Sequence, residues 1–223
     1  YLKQRADLIK QRSIGKAKPG ILYDESQSVL PYRRSDSPEL MSTTHLSIVD
    51  EYGNMVSMTS SIENAFGSRL LVNGFLLNNQ LTDFSFSPTD LEGKLVANRI
   101  EPMKRPRSSM SPIIVFQQDR PILLVGSVGG SRIIDYTAQA IVYHLDKALP
   151  IEVAIGSAHI INLNKGLELE AGRISKNTQK ALIARGHSLK SRSQSSGTHA
   201  IAIINGGLKG AADPRREGTA RGK

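Results

Sequence analysis

The chain has 223 residues, 39% of them hydrophobic and 22% charged, with 29 Lys plus Arg against 20 Asp plus Glu for a formal net charge of +9. This composition excludes a disordered chain, the lack of any run near 18 apolar residues excludes a transmembrane helix, and zero cysteines exclude disulfides, thiol catalysis and Cys-ligated zinc. The positive excess avoids residues 43–171, with 10 basic and 13 acidic side chains, and aromatics are only 5% with no Trp, so a nucleic-acid surface of basic groups and stacking rings is disfavoured.

In chain order, residues 1–15 carry a short helical pattern in which Leu2, Ala6, Leu8 and Ile9 are apolar among charges. A stretch rich in Pro, Ser and charge then runs to Pro38 without periodicity and reads as an exposed linker. From Thr43 the pattern alternates. Leu46 and Ile48 point to one side and His45, Ser47 and Val49 to the other, Gly53-Asn54 makes a turn, and residues 55–62 alternate again, which predicts a strand hairpin. Further strands are predicted at 69–77, 113–117 and 122–127, with a loop rich in Pro and charge at 87–112. Residues 122–125 are apolar on both sides, so that strand is expected between two layers. Helices are predicted from about Ser131 to before Pro150, over 151–158, and over 176–185 with Gly186 as the stop. A last hairpin pairs 200–204 with 208–212 around Asn205-Gly206-Gly207. Strands followed by helices indicate an α+β layered domain, and so few elements suggest a core completed by another polypeptide. The chain opens at Tyr1 with no charged-then-apolar leader, which reads either as a trimmed start or as a piece of something longer.

Three places offer chemistry. Thr43 opens a strand directly after the linker. If the bond from Ser42 were cut, Thr43 would hold a hydroxyl nucleophile and a free α-amine, whose pKa of about 7.7 to 8.0 lets it take the hydroxyl proton near neutrality. Read alone, Thr43 and Thr44 are simply two β-branched residues beginning a strand. Residues 124–133, LVGSVGGSRI, form a strand, a glycine turn and a helix start, where converging N–H groups can hold an oxyanion or a phosphate. The Lys of a phosphate-binding loop is absent, and a plain tight turn is the simpler alternative. Gln80 and Asp83, with Glu63, can hold an ammonium group, while Ser108 and Ser109, flanked by Arg105 and Arg107, can hold a carboxylate; a capping turn and a solvated basic loop are the bland alternatives. The five histidines at 45, 144, 159, 187 and 199 show no metal-ligand spacing, and no cofactor motif is present.

These segments resemble the small, C-terminal subunit of the gamma-glutamyltranspeptidases, of the N-terminal nucleophile hydrolase superfamily. The likeness is carried by STTHLSIVD, DEYGN, ENAFGS, FLLNNQLTDFS, KRPRSSMSP, GSVGGSRI and GAADPRREG, in the family's order over nearly all of 43–222. It implies a four-layer αββα sandwich, part of it supplied by this chain, with residues 1–42 as the end of a large subunit and linker and 43–223 as the catalytic small-subunit region. It implies autocatalytic cleavage between Ser42 and Thr43 and a γ-glutamyl-enzyme ester on Thr43. Ser61 falls at a second hydroxyl position, Gly129 and Gly130 at the oxyanion hole, Gln80 and Asp83 at the binders of the α-amino group, and Ser108 and Ser109 at those of the α-carboxylate. The implied partners are the large subunit of the same precursor, a γ-glutamyl donor such as glutathione, and water or an amino acid as acceptor. Family habit points to a periplasmic or extracellular setting.

The chain departs from the family pattern at three positions. Glu63 stands where Asn is frequent, Ser61 where Thr is usual, and Val128 where Pro usually precedes the two glycines; an Arg that the family's large subunit gives to the carboxylate site has no counterpart here. Alternative readings are an N-terminal-threonine amidase acting on glutaryl-type or polyglutamate substrates and, in another class, an inactive fragment or basic binding module with an intact Ser42–Thr43 bond.

Overall fold

The computed structural model describes residues 1–18, 20 and 42–222. Most of the predicted linker therefore lies outside the described residues. In chain order the elements are α1 (Leu2–Ala6), β1 (Thr43–Val49), β2 (Met55–Ser61), β3 (Leu71–Val72), β4 (Phe75–Leu76), β5 (Ile113–Gln117), β6 (Arg120–Gly126), α2 (Ile133–Ile141), α3 (Ile151–Gly156), β7 (Ile160–Asn162), β8 (Leu167–Glu170), α4 (Lys176–Ala184), β9 (Leu189–Arg192), β10 (His199–Ile204) and β11 (Gly207–Ala212). The fold is α+β, and it divides into two compact units.

The larger unit takes its described residues from 33–157 and 195–223. Its hairpin pairs β1 with β2 from Thr43↔Ser61 to Val49↔Met55. Its main sheet has the order β11-β10-β6-β5, all antiparallel. One face of the hairpin lies on β6 and β10, while α2 and α3 pack against the sheet from its other side. Strand alternation explains both contacts. Leu123, Val125, Ala200 and Ala202 turn toward Ala140, Ile151 and Ile155, whereas Gly126 and His199 turn toward His45. β6 is thus buried on both faces, as its apolar run predicts, with Leu123, Leu124 and Val125 at zero exposure. At about 25 cal/mol per Å² of apolar surface removed from water, such a strand contributes several kcal/mol to the core.

The smaller unit gathers described residues of 1–32 with 158–194. β7 and β8 pair antiparallel, β9 joins β8 in parallel, and α4 makes the crossover between them. Ser175 caps α4 by accepting from Thr178 N–H at 3.1 Å, and Gly186, at φ +87°, ends it. The N-terminal segment joins this unit through main-chain donation from Ser13 to Arg185 at 2.7 Å and a paired amide contact of Ala17 with Asn164 at 2.8 Å.

Two differences from the sequence prediction have local causes. Residues 69–77 make a small hairpin, β3–β4, instead of one strand, because Asn73 and Gly74 both sit at positive φ, +48° and +85°, and reverse the chain. β7, β8 and β9 have no counterpart in the sequence pattern. Each is only three or four residues long, and β9 carries one apolar residue, Leu189, in four.

Candidate active site

The register of the β1–β2 hairpin sets Thr43 opposite Ser61. Thr43 Oγ1 donates to Ser61 Oγ at 3.2 Å, and Ser61 Oγ donates to the main-chain oxygen of Ser42 at 3.0 Å. Ile62 N–H reaches the same oxygen at 3.3 Å. The carbonyl preceding Thr43 is therefore held by two donors, one of them the hydroxyl that accepts from Thr43. Because Ser61 spends its proton on the carbonyl, its lone pair is what faces Thr43.

After Ser61 the chain turns sharply. Glu63 is buried at φ +67°, a conformation that non-glycine residues rarely adopt and that clusters at functional sites. Its N–H donates to Ser61 Oγ at 3.0 Å, and its carboxylate accepts from the Asn79 side-chain amide. Asn79 also donates to Thr82 Oγ1 at 3.0 Å and accepts from Asn64 N–H at 3.1 Å, so it ties this turn to the 3-10 turn Gln80–Asp83. There Gln80 Nε2 donates to Asp83 Oδ2 at 2.9 Å, and Gln80 Oε1 is buried with no hydrogen-bond partner among the described residues. An unsatisfied buried acceptor beside two carboxylates is suited to a cationic donor.

Thr43, Ser61, Glu63, Gln80, Asp83, Ser108, Ser109 and Gly130 line one open cleft. Arg107, Met110 and Ile133 complete its wall. Gly129 stands just behind, buried at φ +131°, where a Cβ would lie 2.7 Å from Tyr136 Cε2. Gly129-Gly130 thus lead into α2 at its positive N-terminal end, on the cleft side, as the glycine turn predicts. The candidate residues named from sequence thus come together on this cleft except Gly129, which adjoins it through Gly130, and Arg105, which does not line it; Ser42 is adjacent through its carbonyl.

Beneath this floor lies a polar network that the site prediction missed. Thr198 Oγ1 donates to Ser127 Oγ at 2.9 Å, just before the glycines. Asp213, with no side-chain exposure, accepts from Ser196 Oγ at 2.5 Å and pairs with Arg215 at 3.0 Å. Asp213 and Arg215 of the GAADPRREG motif are thus tied into this network. Its sequence signal was an acid two residues from a base after an apolar strand, which is not distinctive.

His45 was also unassigned. It is buried between hairpin and sheet, hydrogen-bonded to Thr59 Oγ1 at 2.8 Å and Ser47 Oγ at 3.2 Å, with its ring 6.5 Å from that of His199. Burial, and secondarily the charge of His199, lower its pKa from 6.5 to about 4, so it is neutral at physiological pH. Among the described residues no group of three His, Asp or Glu side chains could hold a metal ion. The cleft thus brings a strand-end hydroxyl, a glycine turn at a helix N-terminus and flanking charged groups together.

Comparison with known proteins gives the same outline. The family model "Gamma-glutamyltranspeptidase" matches residues 1–222. The glutathione hydrolase proenzyme of Bacillus subtilis is 35% identical over 100% of this chain and 38% of its own length. That of Escherichia coli is 37% identical over 96% of this chain and 37% of its own length. A crystal structure of a Helicobacter pylori gamma-glutamyltranspeptidase mutant aligns with a TM-score of 0.69 at 35% identity, covering 78% of this chain and 100% of that one. The chain spans about two fifths of the length of these curated relatives.

Proposed function

The chain belongs to the gamma-glutamyltranspeptidase family, and from that premise we propose that it is the nucleophile-bearing, C-terminal part of a γ-glutamyl transferase and hydrolase that cuts its own precursor between Ser42 and Thr43. The observation that carries this reading is the hydroxyl chain from Thr43 through Ser61 to the Ser42 carbonyl. In self-cleavage Thr43 Oγ1 adds to the Ser42 carbonyl carbon, the oxygen charge that develops is met by Ser61 O–H and Ile62 N–H, and the C–N bond breaks as the hydroxyl proton passes to the Thr43 nitrogen. Water then hydrolyses the resulting ester, leaving a Ser42 carboxylate and Thr43 with a free α-amine.

In turnover the same hydroxyl attacks the γ-carbonyl of a donor such as glutathione, and the α-amine takes its proton and returns it to the leaving amine. The Gly129 and Gly130 N–H groups at the head of α2 suit the oxyanion. Glu63, Gln80 and Asp83 suit the donor's α-ammonium, with Gln80 Oε1, buried without a partner among the described residues, as support. Ser108 and Ser109 suit its α-carboxylate, and Arg107 adds positive charge to the same wall. Water or an amino acid takes the acyl group. Three layers, hairpin, sheet and helices, are within this chain; Ile48, Val56 and Met58 leave the outer hairpin face about half exposed. We assign that face to a fourth, helical layer from the upstream part of the precursor, which completes an αββα sandwich and a heterodimer divided at Ser42 and Thr43.

The acidic cluster favours γ-glutamyl over glutaryl donors, since a glutaryl group has no ammonium to place there. The test is release of aniline from γ-glutamyl and glutaryl anilides by the processed full-length enzyme. One lost charge-assisted contact set corresponds to a preference of at least about tenfold in kcat/KM for the γ-glutamyl donor. Equal rates, or a glutaryl preference, would refute the donor assignment.

A further inference from the structure

Asn98 lies in the long loop before the KRPRSSMSP segment and is not part of the cleft wall. Its side chain nevertheless joins the two halves of the site. Asn98 Nδ2 donates to the main-chain oxygen of Asp83 at 2.6 Å, and Asn98 Oδ1 accepts from Arg107 N–H at 3.1 Å. The two partners fix the amide orientation, because a carbonyl can only accept and a peptide N–H can only donate. The Asn98 main-chain oxygen also accepts from Ser85 N–H at 2.8 Å, anchoring the strut on the Asp83 side.

One end of this bridge is the last residue of the 3-10 turn carrying Gln80 and Asp83. The other is the residue immediately before Ser108 and Ser109. The turn and the serine segment are about 25 residues apart in sequence, and no strand pairing joins them. The surrounding loop is braced locally, with Arg99 and Lys104 both paired to Glu101.

We propose that Asn98 is a positioning residue that sets the separation between the ammonium-binding and carboxylate-binding halves of the donor site; this rests on the γ-glutamyl reading above. A ligand with both groups gains from both contacts only when their spacing matches its own, and a displacement of about 1 Å in such a site can cost a hundredfold. A ligand with one of the groups is indifferent to the spacing.

The experiment uses the full-length precursor carrying Asn98→Ala, and three anilides: γ-glutamyl, glutaryl, which lacks the ammonium, and 4-aminobutanoyl, which lacks the carboxylate. The expected result is a fall of at least about tenfold in kcat/KM for the γ-glutamyl donor, carried mostly by KM, with less than about threefold change for either single-group donor. Equal falls for all three, or no change for the γ-glutamyl donor, would overturn the proposal. Should the alanine variant fail to process, Asn98→Asp keeps the acceptor for Arg107 N–H, removes the donor to Asp83, and must show the same selective loss. If the unsubstituted enzyme itself shows no advantage for the γ-glutamyl donor over the single-group donors, the donor reading falls and the proposal with it. A selective wild type paired with an unselective variant effect removes the Asn98 role alone.

Discussion

A single buried ring gives the clearest pH signature in the chain. His45 has its pKa lowered from 6.5 to about 4 by burial and by His199, the titratable group that faces it across the ring contact. Between those values the unfolded chain binds a proton that the folded chain refuses, so stability is complete above about pH 6.5 and is lost as pH falls toward 4. The full effect is about 3 kcal/mol. Urea midpoints of the full-length protein measured across this range should fall with pH, and His45→Gln should flatten that slope; an equal slope in the variant would place the acid sensitivity elsewhere. Single residues also show where sequence reading stops. The positions of Thr43 and the two glycines are legible because a strand start and a strand-to-helix glycine turn are local patterns, whereas Ser61 is singled out only by the family resemblance. Asn98 and Asn79 are not, since an asparagine in a polar loop looks the same whether it faces solvent or bridges two segments.

At the level of elements, the turn from β6 into α2 concentrates the demand. Gly129 combines φ +131° with a would-be Cβ contact of 2.7 Å to Tyr136, itself 1% exposed. Gly129→Ala adds backbone strain to an overpacked contact, together costing about 3 kcal/mol. The same shift moves the proposed oxyanion donors, and loss of one such donor lowers kcat by about a hundredfold or more. Denaturant midpoint and turnover should therefore fall together; a stable, fully active variant would show that this turn does not hold the oxyanion. The elements legible in the sequence were those with strong local punctuation, such as the Gly53-Asn54 hairpin and the Gly186 helix stop. β7 to β9 escaped because their strand character comes from pairing. Leu167 and Leu169 bury against their unit while Glu170, also buried, is held by Arg173 at 3.3 Å and by His159 N–H at 2.9 Å. A short run of alternating Leu and Glu does not announce that packing.

For the molecule as a whole, sequence position misleads about organisation. The N-terminal 18 residues join the unit containing 158–194, and that unit's described residues hold many of the chain's basic side chains, while the cleft belongs to the unit with the acidic hairpin and loop segments. The +9 charge is therefore a property of one unit and the tail more than of the site. Thr43 is proposed as both the agent of its own release and the nucleophile of turnover. Intact-mass and N-terminal analysis of the full-length precursor tests it most directly. The unsubstituted protein is predicted to yield a fragment beginning at Thr43, and Thr43→Ala to remain one uncut chain without turnover. A precursor that stays intact in the unsubstituted protein, or an alanine variant still cut between residues 42 and 43, would contradict the account.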